Sequence, residues 1–189
     1  MEEIEVKFLD IDVKAMSQKL GELGAVKKID VVMRRKVFDF PGWPLNKEGA
    51  WLRVRDEGER VTMSFKKRIG IGKGGDRGME EVEVGVSNFD EACLMLQKIG
   101  MVVKFYEENH RVEYVLGGVK VDIDSWPLLK PYVEIEGNSW GEVKKTAERL
   151  GYRWEDKKII STWQIYESAG INEGDFEVLT FEKQEKRNG

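Results

Sequence analysis

Glu3-Ile4-Glu5-Val6-Lys7-Phe8 alternates charged and apolar residues without a break. Side chains of a β-strand repeat every two residues, so Glu3, Glu5 and Lys7 share one face and Ile4, Val6 and Phe8 the other. The paired carboxylates return in Glu81-Val82-Glu83 and Glu134-Ile135-Glu136. Arg53 and Arg55 alternate with Leu52 and Val54, and Thr62, Ser64 and Lys66 fall on one side of their segment. Arg111 and Glu113 oppose Val112 and Tyr114, while Lys120, Asp122 and Asp124 oppose Val119, Val121 and Ile123. Nearly every strand legible in the sequence therefore has one ionic and one apolar face.

Outward from this stretch, Val13, Met16, Leu20 and Leu23 recur at helical spacing, with Asp12 as cap and Gly24 as stop. The grammar repeats after Glu83, where Asn88 precedes Phe89, Ala92, Cys93, Leu96 and Ile99 and Gly100 follows. It repeats after Glu136, where Ser139 and Glu142 have capping-box spacing, Val143, Ala147 and Leu150 form the stripe, and Gly151 ends it. Alternation and turn residues predict further strands near 31–40, 50–56, 60–67, 80–86, 102–116, 119–124 and 131–136, with Gly117-Gly118 as a hairpin turn. Residues 155–168 read as a helix. The expected architecture is α+β: an eight-stranded antiparallel β-barrel with amphipathic helices packed outside. Residues 1–168 are read as a single domain and 169–189 as a charged tail expected to be mobile.

Composition narrows the function classes. Among 189 residues, Lys and Arg number 31 against 35 for Asp and Glu, which is not the strongly basic balance of a general nucleic-acid binder. The single cysteine, Cys93, excludes an intrachain disulfide and a cysteine metal cluster. No apolar run approaches a membrane span, and the acidic start lacks the features of a secretory signal. The expectation is a cytoplasmic protein with no nucleic-acid or membrane partner; a homodimer is compatible with the sequence.

An antiparallel sheet can turn its polar face to water, and any single strand here is explained that way. Taken together, the strands suggest another arrangement, because amphipathic helices are available to cover the apolar faces. That places the charges inside a closed barrel, where crowded ions need water, metal ions or a charged ligand to compensate them. Carboxylates are oxygen ligands suited to Mg²⁺ or Mn²⁺, and Arg and Lys suit phosphate oxygens. A metal-bound polyphosphate satisfies both sets.

These residues resemble the CYTH family, also called triphosphate tunnel metalloenzymes, which includes class IV adenylyl cyclases, thiamine triphosphatases and inorganic tripolyphosphatases. The Glu-x-Glu-x-Lys signature stands as Glu3-Ile4-Glu5-Val6-Lys7, the Arg-x-Arg strand as Arg53-Val54-Arg55, and the strand ending in a phosphate-facing lysine as Thr62-Met63-Ser64-Phe65-Lys66. Glu81-Val82-Glu83, Arg111, Asp122-Ile123-Asp124 and Glu134-Ile135-Glu136 follow in family order, and the resemblance covers about residues 1–166. It departs at Asn109, where a basic residue often stands two positions before the counterpart of Arg111.

The resemblance implies a tunnel in which Lys7, Arg53, Arg55, Lys66 and Arg111 bind a triphosphate-containing small molecule. It implies metal ligation of Mg²⁺ or Mn²⁺ by Glu3, Glu5, Glu134 and Glu136, with Glu81 and Glu83 as further ligands. Lys7, Lys66, Asp122 and Asp124 are the implied catalytic residues, the two aspartates either binding metal or positioning the nucleophile. Lys157 or Lys158 is placed to supply a late lysine, and Lys120 is read as structural. The implied activity is metal-dependent hydrolysis of tripolyphosphate or an organic triphosphate such as thiamine triphosphate. The alternatives are a class IV adenylyl cyclase making cyclic AMP and pyrophosphate from ATP, and a non-catalytic polyphosphate-binding module.

Other signals read as structural. The glycine-rich stretch 70–78, with Lys73 and Arg77, lacks the ending of a phosphate loop and reads as a hairpin. Cys93 falls on a helix stripe, His110 lies off the ionic face of its strand, and Glu107 and Glu108 are expected in solvent.

Overall fold

The computed structural model describes residues 4–68 and 79–187, so Glu3 and the glycine-rich stretch lie outside the described residues. In chain order the elements are β1 (Ile4–Phe8), α1 (Val13–Glu22), β2 (Val26–Asp39), α2 (Pro44–Lys47), β3 (Ala50–Asp56), β4 (Val61–Arg68) and β5 (Met79–Val86). There follow α3 (Phe89–Lys98), β6 (Val102–Leu116), β7 (Val119–Ser125), β8 (Tyr132–Gly137), α4 (Trp140–Arg149), α5 (Thr162–Ser168), β9 (Phe176–Leu179) and β10 (Gln184–Lys186). Eight strands form one hydrogen-bonded path in the order β1-β8-β7-β6-β2-β3-β4-β5, the number expected from alternation. With five helices the class is α+β, as expected.

The chain divides into two compact units, one of Met1–Val31 with Asn109–Gly174 and one of Val32–Glu108 with Asp175–Gly189. In the first unit, the apolar faces of β1, β6, β7 and β8 supply Val6, Phe8, Val112, Tyr114, Val121, Ile123, Val133 and Ile135. Met16 and Leu20 of α1 and Val143 and Ala147 of α4 join the same buried cluster. Both helices form as the sequence implies: Asp12 accepts from the Ala15 amide at 3.0 Å and Ser139 from the Glu142 amide at 3.3 Å. Gly24 and Gly151 follow the helix ends at φ of 78° and 94°, a left-handed conformation that costs a residue without a Cβ little.

Helix coverage decides which face of the sheet is left for charge. In the second unit α3 supplies Phe89, Ala92, Cys93 and Leu96 to a cluster with Phe38 of β2 and Val54 of β3. Asn88 caps α3 on the Glu91 amide at 3.0 Å. Cys93 is buried there with its thiol pushed up to about 11 by desolvation, consistent with its reading as core.

Beyond the short helix α2 in a stretch read as a turn and the earlier start of β2, two segments near the C-terminus differ from expectation. The helix predicted from residue 155 begins only at Thr162: Trp154–Asp156 forms a single 3-10 turn, and Lys158 then exchanges backbone hydrogen bonds with Lys7 at 2.8 and 2.9 Å, which separates that turn from α5. Ser161 and Gln164 then form a reciprocal capping box at the α5 start. After Ser168, where the sequence offered no regular element, β9 pairs in parallel with β6 through Tyr106 with Val178 and Glu107 with Leu179. This strand was missed because its apolar pattern spans only four residues.

Asp39 ends β2 with 1% exposure and accepts the amides of Phe40, Leu45 and Asn46 at 2.7, 3.0 and 2.9 Å. Asp39→Ala should therefore lower unfolding free energy by about 2–4 kcal/mol, since charged hydrogen bonds are lost and partly buried amides are orphaned. Asp39→Asn should lose less. Urea denaturation of both variants measures the difference.

Candidate functional site

Register assembles the ionic face of the first unit. Glu5 lies opposite Glu136 and Lys7 opposite Glu134; Glu136 then faces Lys120, Glu134 faces Asp122, and Asp124 faces Arg111. Directly opposed residues of a ladder project to the same side, so these four strands hold one continuous charged row. Of the residues expected on it, Glu5, Lys7, Arg111, Asp122, Asp124, Glu134 and Glu136 are brought together, and only Glu3 lies outside the described residues.

Lys7 is 4% exposed and sits between two carboxylates, its Nζ 2.7 Å from Glu5 Oε1 and 2.8 Å from Glu134 Oε2. Burial disfavours its charge, yet Glu134 and Glu5 outweigh burial and hold its pKa above the ordinary value. For Glu134 burial pushes up, and Lys7, Arg111 and Lys120 overcome it, so the carboxylate stays below its ordinary range. Arg111 donates a fork to Asp124, Nε to Oδ1 at 2.9 Å and Nη2 to Oδ2 at 2.6 Å, and its Nη1 lies 2.8 Å from Asp122 Oδ2. Burial is the largest influence on Arg111 too, but these carboxylates keep it charged. Two of its five N–H groups are thereby engaged in hydrogen bonds.

Asp122 differs. It is fully buried, and neither oxygen has a hydrogen-bond partner among the described residues, its 2.8 Å contact with Arg111 being an ion pair without hydrogen-bond alignment. Desolvation raises its pKa from 3.8 to about 7, only partly opposed by Arg111 and Lys120. Lys120 is more than a structural residue: its Nζ lies 2.7 Å from Glu136 Oε2 and 3.5 Å from Asp122 Oδ2. Asn109 turns its amide toward Asp124 at 3.4 Å, and His110 contacts Asp30 at 2.8 Å. Of the two late lysines, Lys158 bridges Lys7 and so projects to the ionic side, while Lys157 lies 4.6 Å over the Trp154 ring.

The second unit has its own ionic face. Across β3, β4 and β5 the rows are Arg53–Ser64–Glu83, Arg55–Thr62–Gly85 and Trp51–Lys66–Glu81, and Arg35 of β2 lies opposite Arg55. All five residues expected here, Arg53, Arg55, Lys66, Glu81 and Glu83, project from this side. Lys66 pairs with Glu81 at 2.8 Å and Arg55 with Glu57 at 2.8 Å, whereas Arg53 has no ion pair among the described residues. Burial first, then repulsion by Arg55 and Arg35, lowers the Arg53 pKa to about 10. Arg55 is lowered as well, by burial that Glu57 and Glu83 only partly offset.

Sequence reading missed Arg35 and misplaced Glu107. Glu107 is 3% exposed, not in solvent, and pairs with Arg35 at 2.5 Å. Arg35 sits in the run Arg34-Arg35-Lys36, where like charges conceal the alternation. The odd numbering of Glu107, shared with Asn109 and Arg111 along β6, was the available signal.

A divalent ion would find oxygen-only donors in Glu5, Glu134, Glu136 and the orphaned Asp122, a chemistry that fits Mg²⁺ or Mn²⁺. At present Lys7 and Lys120 balance these carboxylates, and among the described residues no three acidic, His or Cys side chains converge as a metal cluster.

The CYTH domain profile matches residues 1–177. No curated protein sequence matches the chain significantly. Among solved structures, a conserved hypothetical protein from Pyrococcus furiosus aligns over 87% of this chain and 99% of its own at a TM-score of 0.61 and 19% identity. A putative adenylate cyclase from Vibrio parahaemolyticus aligns over 87% and 97% at 0.64 and 16% identity. A putative adenylyl cyclase from Hippeastrum, described as having a dominant triphosphatase activity, aligns over 89% and 96% at 0.55 and 18% identity. At these identities the structural likeness speaks to the fold. Among the described residues no helix is long and apolar enough to cross a membrane.

The displaced Asp122 gives a pH prediction. A carboxyl whose folded pKa lies above its unfolded value contributes stability that is complete below the unfolded value and is lost as pH rises through the folded one. In metal-free buffer the wild-type protein should therefore lose stability between pH 4 and about 7 through this group, on the order of 1.4 kcal/mol per unit of displacement. Asp122→Asn should flatten that slope in urea denaturation series across the same range.

Proposed function

This chain belongs to the CYTH domain family, and we propose that it is a divalent-metal-dependent hydrolase of inorganic tripolyphosphate or of an organic triphosphate such as thiamine triphosphate. The observation that carries the reading is the unsatisfied guanidinium groups of the second unit: Arg53 lacks an ion pair among the described residues, and the Nε atoms of Arg53 and Arg55 are buried without hydrogen-bond partners there. Repelling guanidinium groups held in that state are a site for a multiply charged anion. Lys66, 2.8 Å from Glu81, adds a cation one strand away.

Phosphoryl transfer asks a protein chiefly for positioning and for stabilisation of charge spreading over phosphate oxygens. Arg53, Arg55 and Lys66 supply donors for those oxygens. Arg111, fixed by its fork on Asp124, keeps three N–H groups outside that fork for substrate and cannot swing away without breaking buried bonds. Lys7, anchored by Glu5 and Glu134, remains charged and holds its place for a phosphate oxygen or for the attacking water. Asp122 and Asp124 act by fixing Arg111 and Lys120. Glu5, Glu134 and Glu136, together with Glu3, are the carboxylates that would hold Mg²⁺ or Mn²⁺, which when bound supplies further neutralisation of the phosphate chain.

Class IV adenylyl cyclase activity is the rival, and the name of the Vibrio parahaemolyticus neighbour points that way. The dominant triphosphatase activity of the Hippeastrum protein, despite its cyclase name, supports hydrolysis as the first reading. Purified protein should release orthophosphate from tripolyphosphate with Mg²⁺ or Mn²⁺ and lose that activity in EDTA. Arg53→Met should lower kcat/KM about 100-fold or more, the scale of losing one preorganised charge donor. With ATP and Mn²⁺, cyclic AMP and pyrophosphate in place of orthophosphate would replace the hydrolase assignment with the cyclase one.

A further inference from the structure

We propose that Thr62 and Ser64 are hydrogen-bond donors to the phosphate chain, and that Gly85 leaves the clearance through which that chain reaches them. The inference rests on the triphosphate reading and deepens it, adding neutral side chains to a site otherwise described by its charges.

Thr62 and Ser64 are 5% and 1% exposed, and neither hydroxyl oxygen has a hydrogen-bond partner among the described residues. A buried hydroxyl without a partner destabilises the fold that contains it. Strand preference does not account for either residue, since valine serves a β-strand equally well without a polar atom. The orphaned hydroxyls also do not lie at random. Ser64 is directly opposite Arg53 and Thr62 directly opposite Arg55, the two arginines whose Nε atoms are orphaned too. Four unsatisfied polar atoms thus lie in adjacent rows of two strands, on the face of the sheet that α3 does not cover.

Gly85 completes the second row, paired with Thr62 on the far side from Arg55. It lies inside a strand, its backbone is outside the left-handed region, and a Cβ built on it would meet nothing within 4 Å. Among the described residues no turn and no neighbouring atom requires glycine there. A glycine in a strand interior weakens the strand and frequently marks the close approach of another group. The group approaching from this side reaches Thr62 first. A phosphate oxygen accepts several hydrogen bonds, so a hydroxyl that rotates to face it can add to a guanidinium already bound.

The test uses the whole protein, inorganic tripolyphosphate as the probe and EDTA to prevent turnover. Calorimetric affinity and Tm are measured for wild type, Thr62→Val, Ser64→Ala and Gly85→Ala. Each variant should bind tripolyphosphate about tenfold more weakly or worse, while its ligand-free Tm stays level or rises, because an orphaned hydroxyl or a flexible glycine has been removed. Wild-type binding with unchanged affinity in the variants would overturn this inference alone. A fall in Tm accompanying the loss of binding would also overturn it, marking the hydroxyls as structural. Absence of binding by wild type in EDTA and again with Mg²⁺ present would overturn the triphosphate reading, and this inference with it.

Discussion

A side chain in a β-strand cannot choose its face independently of its neighbours, and this constraint organises everything else in the protein. Once helices bury the odd or even members of a strand, the remaining members are committed to the opposite side. Val6 and Phe8 pack with α1 and α4, which commits Glu5 and Lys7 to the charged row. Val54 packs with α3, which commits Arg53 and Arg55. Hydrophobic burial thereby positions charges that could not have assembled by their own attraction, given what desolvating them costs.

The two ionic faces meet that cost differently. In the first unit nearly every charge is answered within hydrogen-bond distance: Lys7 by Glu5 and Glu134, Lys120 by Glu136, Arg111 by Asp124. In the second, Lys66, Arg55 and Arg35 have carboxylate partners, but Arg53 has none among the described residues, and its guanidinium is correspondingly destabilised. Unspent cationic charge of this kind weakens the free protein and strengthens its grip on an anion, the usual exchange between stability and function.

How much of this was legible in the sequence follows from the same physics. The period-two pattern placed seven residues on the first ionic face and five on the second, because parity needs no knowledge of what lies across the sheet. Helix caps were equally readable, since Asp12, Asn88 and Ser139 act on amides only three residues away. Long-range pairing was not. The backbone bridge between Lys7 and Lys158 joins distant parts of the chain, and it separates the 3-10 turn from α5 and Lys158 from Lys157. Arg35 and Glu107 escaped for the same reason: Glu107 looked solvated, and Arg35 drew no reading, until the fold placed them side by side. Orphaned hydroxyls are invisible to any pattern, because a sequence records that Thr62 and Ser64 are polar but not that they lack partners.

Lys7, Arg53, Arg55, Lys66 and Arg111 look equivalent when carried over from a family motif, yet their surroundings make them unequal. An arginine whose fork is already closed on a buried aspartate has fixed orientation and little charge left to give, so Arg111 contributes geometry more than attraction. On the proposed function Arg53, with a pKa lowered by desolvation and by like charges, would gain most from an arriving phosphate, because the same anion would relieve its burial and its repulsion together. On that function, attraction for phosphate is strongest within the second unit, where Thr62 and Ser64 also lie, and orientation is firmest within the first, where carboxylates hold Arg111 still. A mutation that removes attraction raises KM first, whereas one that loosens alignment lowers kcat first, since only orientation is specific to the transition state.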